Sequence, residues 1–224
     1  MRKRRFFVAG TDTGVGKTGA ACALLSLMND ADERPFAFKP YESGCADERR
    51  PSDGLALQRA AGGHDALATV SLYRFQAALA PGVAAAQEGR RTSFARVVRH
   101  FRRFDGRSGV VEGAGGLCVP LDNKNEVIDL ASALRLPVLL VARAGLGTLN
   151  HVALSLSQLR ARRIPVAAVL LVQSQRGRDA SVVSNPKWIV RRNAVRVLGP
   201  VPFCAHVGKR RLQFRRALAP LLDE

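Results

Sequence analysis

The chain has 224 residues, 47% of them hydrophobic, and 35 lysines and arginines against 18 acidic residues give it a net charge of +17. This composition excludes disordered, collagen-like and repeat proteins and predicts one globular domain over residues 1–224. A chain of this length buries roughly 70% of the surface that its unfolded form exposes, so it needs neither disulfides nor a structural metal to fold.

The cysteines and the apolar segments indicate the cellular compartment. The four cysteines, Cys22, Cys45, Cys118 and Cys204, form no C-x-x-C pair, a pattern typical of a reduced, cytoplasmic protein. Only four apolar residues follow the basic N-terminal segment, so we expect no secretory signal. The longest apolar stretches have seven residues each, far fewer than the roughly 20 that span a bilayer, so we expect no membrane association.

The positive charge is concentrated in residues 160–224, which contain 14 basic and 3 acidic residues. Aromatic residues interleaved with the basic ones, or a known motif, would favour a nucleic-acid site, and neither occurs there. Solvated arginines on helix faces therefore explain the charge better than a polyanion-binding surface, and we expect no nucleic-acid partner.

Short apolar runs alternate with helix-period segments along the chain, which predicts an α/β fold with a mostly parallel central sheet and helices on both faces. Strands are predicted over residues 5–9, 35–38, 109–112, 137–142, 166–172 and 195–198. Helices are predicted over residues 16–28, 53–61, 93–104, 127–134, 149–162 and 210–222, and a loop over residues 42–51. Ligands of such sheets bind beyond the carboxyl ends of the strands, so polar motifs after the strands should converge on one edge.

A glycine-rich segment, GTDTGVGKT at residues 10–18, lies between the first predicted strand and the first predicted helix. In a P-loop, backbone N–H groups bind phosphate oxygens, a lysine such as Lys17 reaches the β- and γ-phosphates, and a hydroxyl such as that of Thr18 binds Mg²⁺. Five residues rather than the usual four separate Gly10 from Gly16. A turn that only joins the strand to the helix is the alternative, but strand, glycines, Lys-Thr and helix together favour a P-loop.

Lys39 and Asp53 are two further candidates for the same edge. Lys39 ends the second predicted strand, where it could neutralise charge on a transferring phosphoryl group or could be an ordinary solvated lysine. Asp53 begins a predicted helix. It is a candidate Mg²⁺ ligand, although a helix N-cap formed by Ser52 or Asp53 explains the same pattern.

Glu112 is the single carboxylate at the end of an apolar strand, and glycines follow it at positions 113, 115 and 116. A buried carboxylate is costly unless it is paired or binds a metal, and glycines let a backbone approach a ligand closely. We therefore expect Glu112 to act with Thr18 and Asp53 rather than to belong to a plain β-turn.

Residues 143–151, RAGLGTLNH, follow another apolar strand and begin a helix. Backbone N–H groups at a helix start could bind an anion such as a carboxylate. The alternative is a plain connection in which Thr148 or Asn150 caps the helix. We assign His151 no role in proton transfer.

Five segments together are similar to the dethiobiotin synthetase family, and they span most of the chain. They are GTDTGVGKT (10–18), FKPYESG (38–44), SDGLALQ (52–58), VEGAGG (111–116) and GLGTLNH (145–151). The additional residue in the phosphate loop is normal for that family. The resemblance implies a homodimeric P-loop enzyme that uses ATP and Mg²⁺ to make dethiobiotin from 7,8-diaminononanoate and CO₂, through a carbamate and a carbamic-phosphoric anhydride.

The resemblance also implies roles for individual residues. Thr13, Lys17 and Lys39 are the implied catalytic residues, and Thr18, Asp53 and Glu112 are the implied Mg²⁺ ligands. The implied ATP-binding residues are Asp12, Thr13, Gly14, Val15, Gly16, Lys17, Thr18, Asp53, Glu112, Gly113, Ala114, Gly115, Gln173 and Pro202. The implied substrate-binding residues are Ser43 and, from the partner subunit through backbone amides, the segment matching Gly147, Thr148, Leu149 and Asn150.

The sequence departs from the family after the strand at residues 166–172, where Gln173 takes the place of a base-contacting asparagine. Gln173 could replace it through its side-chain amide, and the sequence leaves the nucleotide preference open. Two other functions fit part of the pattern. One is a partition-like ATPase that binds DNA, which the charge would suit although Thr11 stands where that family has a lysine. The other is a related ATP-dependent ligase with a different amine substrate.

Overall fold

The computed structural model describes residues 3–45, 52–177 and 179–223. The strands are β1 (Arg5–Gly10), β2 (Phe36–Phe38), β3 (Tyr41–Glu42), β4 (Tyr73–Arg74), β5 (Gly109–Gly116), β6 (Val138–Arg143), β7 (Val166–Val172) and β8 (Val197–Val201). Six of them form a parallel sheet in the order β2-β5-β1-β6-β7-β8, and β3 pairs with β4 in a separate two-stranded sheet. The predicted α/β class with a mostly parallel sheet is confirmed.

Helices alternate with the strands. They are α1 (Lys17–Asp30), α2 (Asp53–Ala60), α3 (Leu67–Val70), α4 (Pro81–Gln87), α5 (Phe94–Phe101), α6 (Val127–Leu134), α7 (Thr148–Ala161), α8 (Ser181–Asn193) and α9 (Val207–Leu218). Short 3₁₀ turns at Arg102–Phe104 and Ala219–Leu221 extend α5 and α9. Among the described residues, no helix combines the length and the apolarity that crossing a membrane requires.

The sheet is covered on both faces, which explains why its strands are apolar throughout. Successive residues of a strand point to opposite faces. In β1, Phe7 and Ala9 belong to one apolar cluster, whereas Phe6 and Val8 belong to the other. The two clusters hold the sheet between its helical layers and fix the carboxyl ends of β1, β2, β5 and β6 in space.

Helices α1 and α9 lie side by side at the amino end of α1. A Cβ atom on Gly19 would lie 2.9 Å from the ring of Phe214, so the absence of a side chain at Gly19 permits this close approach. Phe214 itself is buried. The packing brings the first turns of α9 next to the glycine-rich loop that precedes α1.

The structure differs from the sequence prediction mainly where local patterns are short or interrupted. Helices α3, α4 and α8 and the strands β3 and β4 were not predicted. Helix α8 contains Pro186, a residue that usually ends a helix, and α3 and β3 are too short to show a period. The predicted loop over residues 42–51 is wrong at Glu42, which lies in β3, and its residues 46–51 lie outside the described part of the chain.

Candidate active site

The loop over residues 10–16 joins β1 to α1 at the carboxyl edge of the sheet. Gly14 has φ +72° and Gly16 has φ +104°, conformations that other residues rarely adopt. A Cβ atom on Gly10 would lie 2.8 Å from the backbone oxygen of Asp12, so the loop folds tightly over this position. The first turn of α1 leaves backbone N–H groups without partners inside the helix, and such groups bind phosphate.

Lys17 lies under this loop and is buried. Its Nζ donates a hydrogen bond of 2.9 Å to the backbone oxygen of Asp12. Burial lowers the pKa of Lys17 to about 8, although the nearby Glu112 carboxylate opposes that shift. A buried cation in such a position is stabilised by an incoming anion, which is the electrostatic requirement of a phosphate site.

The predicted convergence of Lys39 and Glu112 follows from the register of the sheet. Phe38 of β2 pairs with Val111 of β5, so the next residues, Lys39 and Glu112, lie beside each other. The Lys39 Nζ is 2.6 Å from Glu112 Oε1 and 3.3 Å from Asp53 Oδ2. The Thr18 hydroxyl donates a hydrogen bond of 3.0 Å to the same Glu112 oxygen. Side chains from four chain segments therefore form one connected cluster, in which Thr18 and Lys39 contact Glu112 and Asp53 contacts Lys39.

Burial and charge act in opposite directions on this cluster. Burial disfavours the ammonium form of Lys39, but the attraction of Glu112 and Asp53 outweighs it and raises the pKa of Lys39. Burial raises the pKa of Glu112, and the charge of Lys39 opposes that shift. Lys39 is therefore held as an ammonium ion between the two carboxylates.

Ser52 and Glu42 position Asp53 at the start of α2. The Ser52 hydroxyl accepts a hydrogen bond of 3.1 Å from the Leu55 N–H, so Ser52 rather than Asp53 caps the helix. The buried Glu42 carboxylate accepts a hydrogen bond of 3.1 Å from the Gly54 N–H, where a negative charge suits a helix N-terminus. Asp53 is thereby left free to face Lys39.

The residues around Glu112 fit a magnesium ion that binds together with a nucleotide. The second oxygen of Glu112 is buried without a hydrogen-bond partner in the described structure. With the Thr18 hydroxyl and the Asp53 carboxylate, it supplies the oxygen ligands that Mg²⁺ prefers. In residues 3–45, 52–177 and 179–223, no cluster of three or more His, Cys, Asp or Glu side chains forms a complete metal site. The rest of such a coordination shell has to come from phosphate and water.

A cleft of about 930 Å³ opens above this cluster. The predicted site residues that line it are Thr13, Gly14, Gly16, Lys17, Thr18, Lys39, Ser43, Asp53, Glu112, Ala114 and Gly115. The hydroxyl oxygens of Ser43 and Tyr41, which also lines the cleft, are buried and have no hydrogen-bond partner among the described residues. Burial raises the pKa of Tyr41, which keeps its hydroxyl protonated and able to donate.

Three residues predicted to bind ATP, namely Asp12, Val15 and Gly113, do not line the cleft. Val15 is fully buried in the apolar cluster beneath the loop. A Cβ atom on Gly113 would lie 2.9 Å from Val127 Cγ1, so this glycine permits packing of α6 against β5 and does not line the cleft. The Asp12 carboxylate accepts a hydrogen bond of 2.6 Å from the Thr13 N–H and stabilises the loop itself.

The far wall of the cleft consists of residues that the sequence analysis left without a role. They are Phe203, Cys204, Ala205, Val207, Arg210, Arg211 and Phe214. Val207, Arg210 and Phe214 recur at the spacing of one helix face, and this was the available signal. Neither Pro202 nor Gln173 lines the cleft, and the Gln173 amide donates a hydrogen bond of 3.2 Å to the Gly177 oxygen.

The segment Gly147 to Asn150 lies outside this cleft. Gly147, with φ +89°, precedes α7, and no side chain caps the helix. The alternative in which Thr148 or Asn150 caps α7 does not hold, because α7 begins at Thr148 and Gly147 occupies the cap position. Thr148 is buried, and its hydroxyl has no partner within the described residues, whereas Leu146 is 90% exposed.

Known proteins match this chain over more than nine-tenths of its residues. A family model described as an AAA domain matches residues 4–211. The chain is 45% identical over 221 residues to the ATP-dependent dethiobiotin synthetase BioD of Anaeromyxobacter dehalogenans strain 2CP-C, covering 98% of this chain and 97% of the relative. It is 34% identical over 208 residues to the protein of the same name from Bacillus subtilis strain 168, covering 92% and 90%.

The fold is shared with more distant solved structures. Cobyrinic acid a,c-diamide synthase from Mycobacterium smegmatis, with bound ADP and magnesium, aligns with a TM-score of 0.57 over 99% of this chain and 94% of that one. The two sequences are 14% identical. At this identity the likeness concerns the arrangement of strands and helices only.

Proposed function

Because the chain belongs to the dethiobiotin synthetase family, we propose that it closes the ureido ring of dethiobiotin from 7,8-diaminononanoate, CO₂ and ATP. The family is one of ATP-dependent, ligase-type enzymes of biotin synthesis. The observation that carries the proposal is the meeting of Lys17, Lys39, Thr18 and two carboxylates in one cleft beside a phosphate-binding loop. This set can stabilise charge on a transferring phosphoryl group.

The first step of the proposed reaction forms a carbamate. A neutral amine of the diamine attacks CO₂, a C–N bond forms, and the amine proton leaves to solvent. The carbamate is an anion, and the buried hydroxyls of Ser43 and Tyr41 are donors that lack partners in the described structure. We assign these hydroxyls to the diamine end of the cleft.

The second step transfers the γ-phosphoryl group. A carbamate oxygen attacks the γ-phosphorus, the bond to the bridging oxygen of ADP breaks, and a carbamic-phosphoric anhydride forms. Lys17, Thr13 and the amides of the loop hold the phosphates, and Lys39 neutralises charge near the reacting oxygens. Bound with the nucleotide, Mg²⁺ supplies neutralisation of phosphate charge, and Thr18, Asp53 and Glu112 are the residues proposed to hold it.

The third step closes the ring. The second amine attacks the carbonyl carbon of the anhydride, the C–O bond to phosphate breaks, and inorganic phosphate leaves with the electron pair. The amine gives up one proton as the second C–N bond forms. Positioning both amines against one carbonyl makes this step effectively intramolecular.

The carboxylate end of the substrate is assigned to a second copy of the chain. The amides at the start of α7, from Gly147 to Asn150, lie away from the cleft of their own chain, and Leu146 beside them is largely exposed. An exposed leucine next to a helix N-terminus suits a contact between copies in which the amides bind an anion across the interface. A homodimer with the substrate site at the interface is therefore part of the proposal.

The proposal also covers the domain organisation, the cellular compartment and the site of the nucleotide base. We propose that residues 1–224 act as one P-loop unit, in the reduced cytoplasm that four free thiols suit. The cleft wall formed by residues 203–214 is the proposed site of the nucleotide base, with Gln173 and Pro202 beyond its lining.

The test measures phosphate release from Mg·ATP with and without 7,8-diaminononanoate and bicarbonate, followed by mass analysis of the product. Release that depends on the diamine and yields dethiobiotin supports the proposal. Phosphate release that does not depend on the diamine but increases with DNA would indicate a DNA-dependent ATPase instead. Release with other diamines alone would indicate a related ligase.

A further inference from the structure

The segment that joins β6 to α7 is tied down by residues of a different part of the chain. Asn185 lies in α8, is 4% exposed, and donates hydrogen bonds of 2.9 Å to the Ala144 oxygen and 3.1 Å to the Gly145 oxygen. A buried amide that satisfies two backbone carbonyls holds that backbone in one arrangement. Helix α8 also packs directly against α7.

Asp179 supplies a second tie to the same segment from the exposed side. Its Oδ2 accepts a hydrogen bond of 2.9 Å from the Leu146 N–H, and its Oδ1 accepts hydrogen bonds from the N–H and hydroxyl of Ser181 at the start of α8. A Cβ atom on Gly145 would lie 2.6 Å from Asp179 Oδ2, so the contact depends on glycine at that position. The two ties fix three consecutive residues, Ala144 to Leu146.

These ties act immediately before the backbone amides that begin α7. Gly147 has a left-handed conformation, and no side chain caps the helix. The Thr148 N–H donates a hydrogen bond of 3.3 Å to the Gly145 oxygen, which leaves the N–H groups of Gly147, Leu149 and Asn150 for a ligand. Helix-start amides bind an anion only when their direction is fixed, because each contributes a directional hydrogen bond. The buried Thr148 hydroxyl, which has no partner within the described residues, adds an unused donor next to them.

Resting on the proposed function, we propose that Asn185 and Asp179 are positioning residues for the substrate carboxylate. Neither touches the substrate. They hold the segment Ala144 to Leu146 so that the following amides point at the carboxylate, and they do so from α8, outside every motif that the sequence analysis singled out. Loss of either tie is expected to weaken binding of the diamine acid and to leave the nucleotide side unchanged.

The experiment compares Asn185→Ala and Asp179→Ala with wild type and with Asn193→Ala. The last variant is the control, because the Asn193 side-chain amide donates its hydrogen bond within α8, to the Ile189 oxygen, and the hydrogen bond from the Arg160 side chain to the Asn193 backbone oxygen survives the substitution. We expect KM for 7,8-diaminononanoate to rise about tenfold in the two test variants, the scale of losing one or two neutral hydrogen bonds. KM for ATP and kcat are expected to stay within about twofold of wild type, because the phosphate groups lie elsewhere.

A substrate without a carboxylate separates positioning from general damage. With the methyl ester of 7,8-diaminononanoate, wild type and both variants should have the same KM, since the amides then have no anion to bind. Asp179→Asn keeps an acceptor oxygen and should restore most of the affinity. Asp179 is exposed, so its variants report even if Asn185→Ala does not fold.

Each remaining outcome overturns one specific claim. Equal rises of KM for the acid and the ester, or a matching rise for ATP, would mean that the ties serve folding alone. Unchanged KM for the acid in both variants would mean that the segment Ala144 to Leu146 keeps its conformation without Asn185 and Asp179. Wild type that makes no dethiobiotin from the diamine contradicts the proposed function, and the assignment of these two residues to a carboxylate fails with it.

Discussion

The phosphate end of the cleft and the start of α7 are built in opposite ways. Lys17, Lys39 and Glu112 are buried in one chain, where Lys39 pairs with Glu112 and Lys17 donates to the backbone oxygen of Asp12. The start of α7 lies outside that cleft, carries the exposed Leu146 and offers backbone amides rather than side chains. Under the proposed function, one copy of the chain assembles the residues for phosphoryl transfer, whereas recognition of the substrate's acid end is left to a surface that a second copy completes.

The largest effect expected from this comparison is at Lys39. We expect Lys39→Ala to reduce turnover by at least about 100-fold, the scale of losing one preorganised charge at a reacting centre. Steady-state phosphate release checks it, with Arg90→Ala, an exposed cation remote from the cleft lining, as the control. Turnover of Lys39→Ala close to that of wild type would falsify the role assigned to this lysine.

The next effect concerns the other region. We expect Leu146→Asp to weaken association between copies and to raise KM for the diamine by about 10- to 100-fold, as loss of a central apolar contact at an interface does. Nucleotide binding, measured by calorimetry, should remain. Leu212→Asp, at an exposed leucine on α9, is the control. A Leu146→Asp variant that keeps both its oligomeric state and its KM contradicts the dimer.

Substitution of the two carboxylates should change the dependence of activity on magnesium rather than on the diamine. We expect Asp53→Asn and Glu112→Gln to raise the Mg²⁺ concentration for half-maximal activity by about tenfold, the scale of losing one charged ligand. Asp65→Asn, at a carboxylate that pairs with Arg107 outside the cleft lining, is the control and should leave the titration unchanged. Superimposable Mg²⁺ titration curves for wild type and both carboxylate variants would remove these residues from the metal site.

The smallest effect is on stability. Burial lowers the pKa of Lys17 to about 8 in the folded protein, so at pH 7 the charge opposes folding, and the penalty declines as the pH rises from about 8 toward the ordinary pKa of 10.5. We expect Lys17→Met to raise the free energy of unfolding at pH 7 by about 1–3 kcal/mol. Urea unfolding of the nucleotide-free protein at pH 7 and pH 9 checks it. A stability difference that is the same at both pH values argues against a charge effect.

The sequence predicted the parts of the site that depend on contiguous residues or on sheet geometry. The segment 10–18 is readable because strand, glycines, Lys17 and helix follow one another directly. Lys39 and Glu112 could be paired in advance because the carboxyl ends of parallel strands meet at one edge. The roles assigned to individual residues, including Thr13 and Ser43, remain predictions.

What could not be predicted depends on contacts between distant segments. Pro186 obscures α8, and nothing local indicates that Asn185 reaches the end of β6. Gly113 looked like Gly115 in the sequence, but a Cβ atom on Gly113 would point at Val127 and the core, whereas Gly115 has φ +63° and interrupts the regular alternation of β5. The wall of residues 203–214 enters the cleft only because α9 packs against α1.

The pairing of Lys39 with Asp53 and Glu112 has a consequence for the order in which ligands can arrive. With Lys17, the cluster around Glu112 holds two ammonium groups and two carboxylates, so the formal charges of these four side chains balance, whereas Arg210 and Arg211 on the far wall add positive charge. A free metal ion would meet carboxylates that already have counterions. A nucleotide already chelated to its cation brings negative charge to the arginines and adds little net charge beside the balanced cluster, so it suits the cleft better than the metal ion alone.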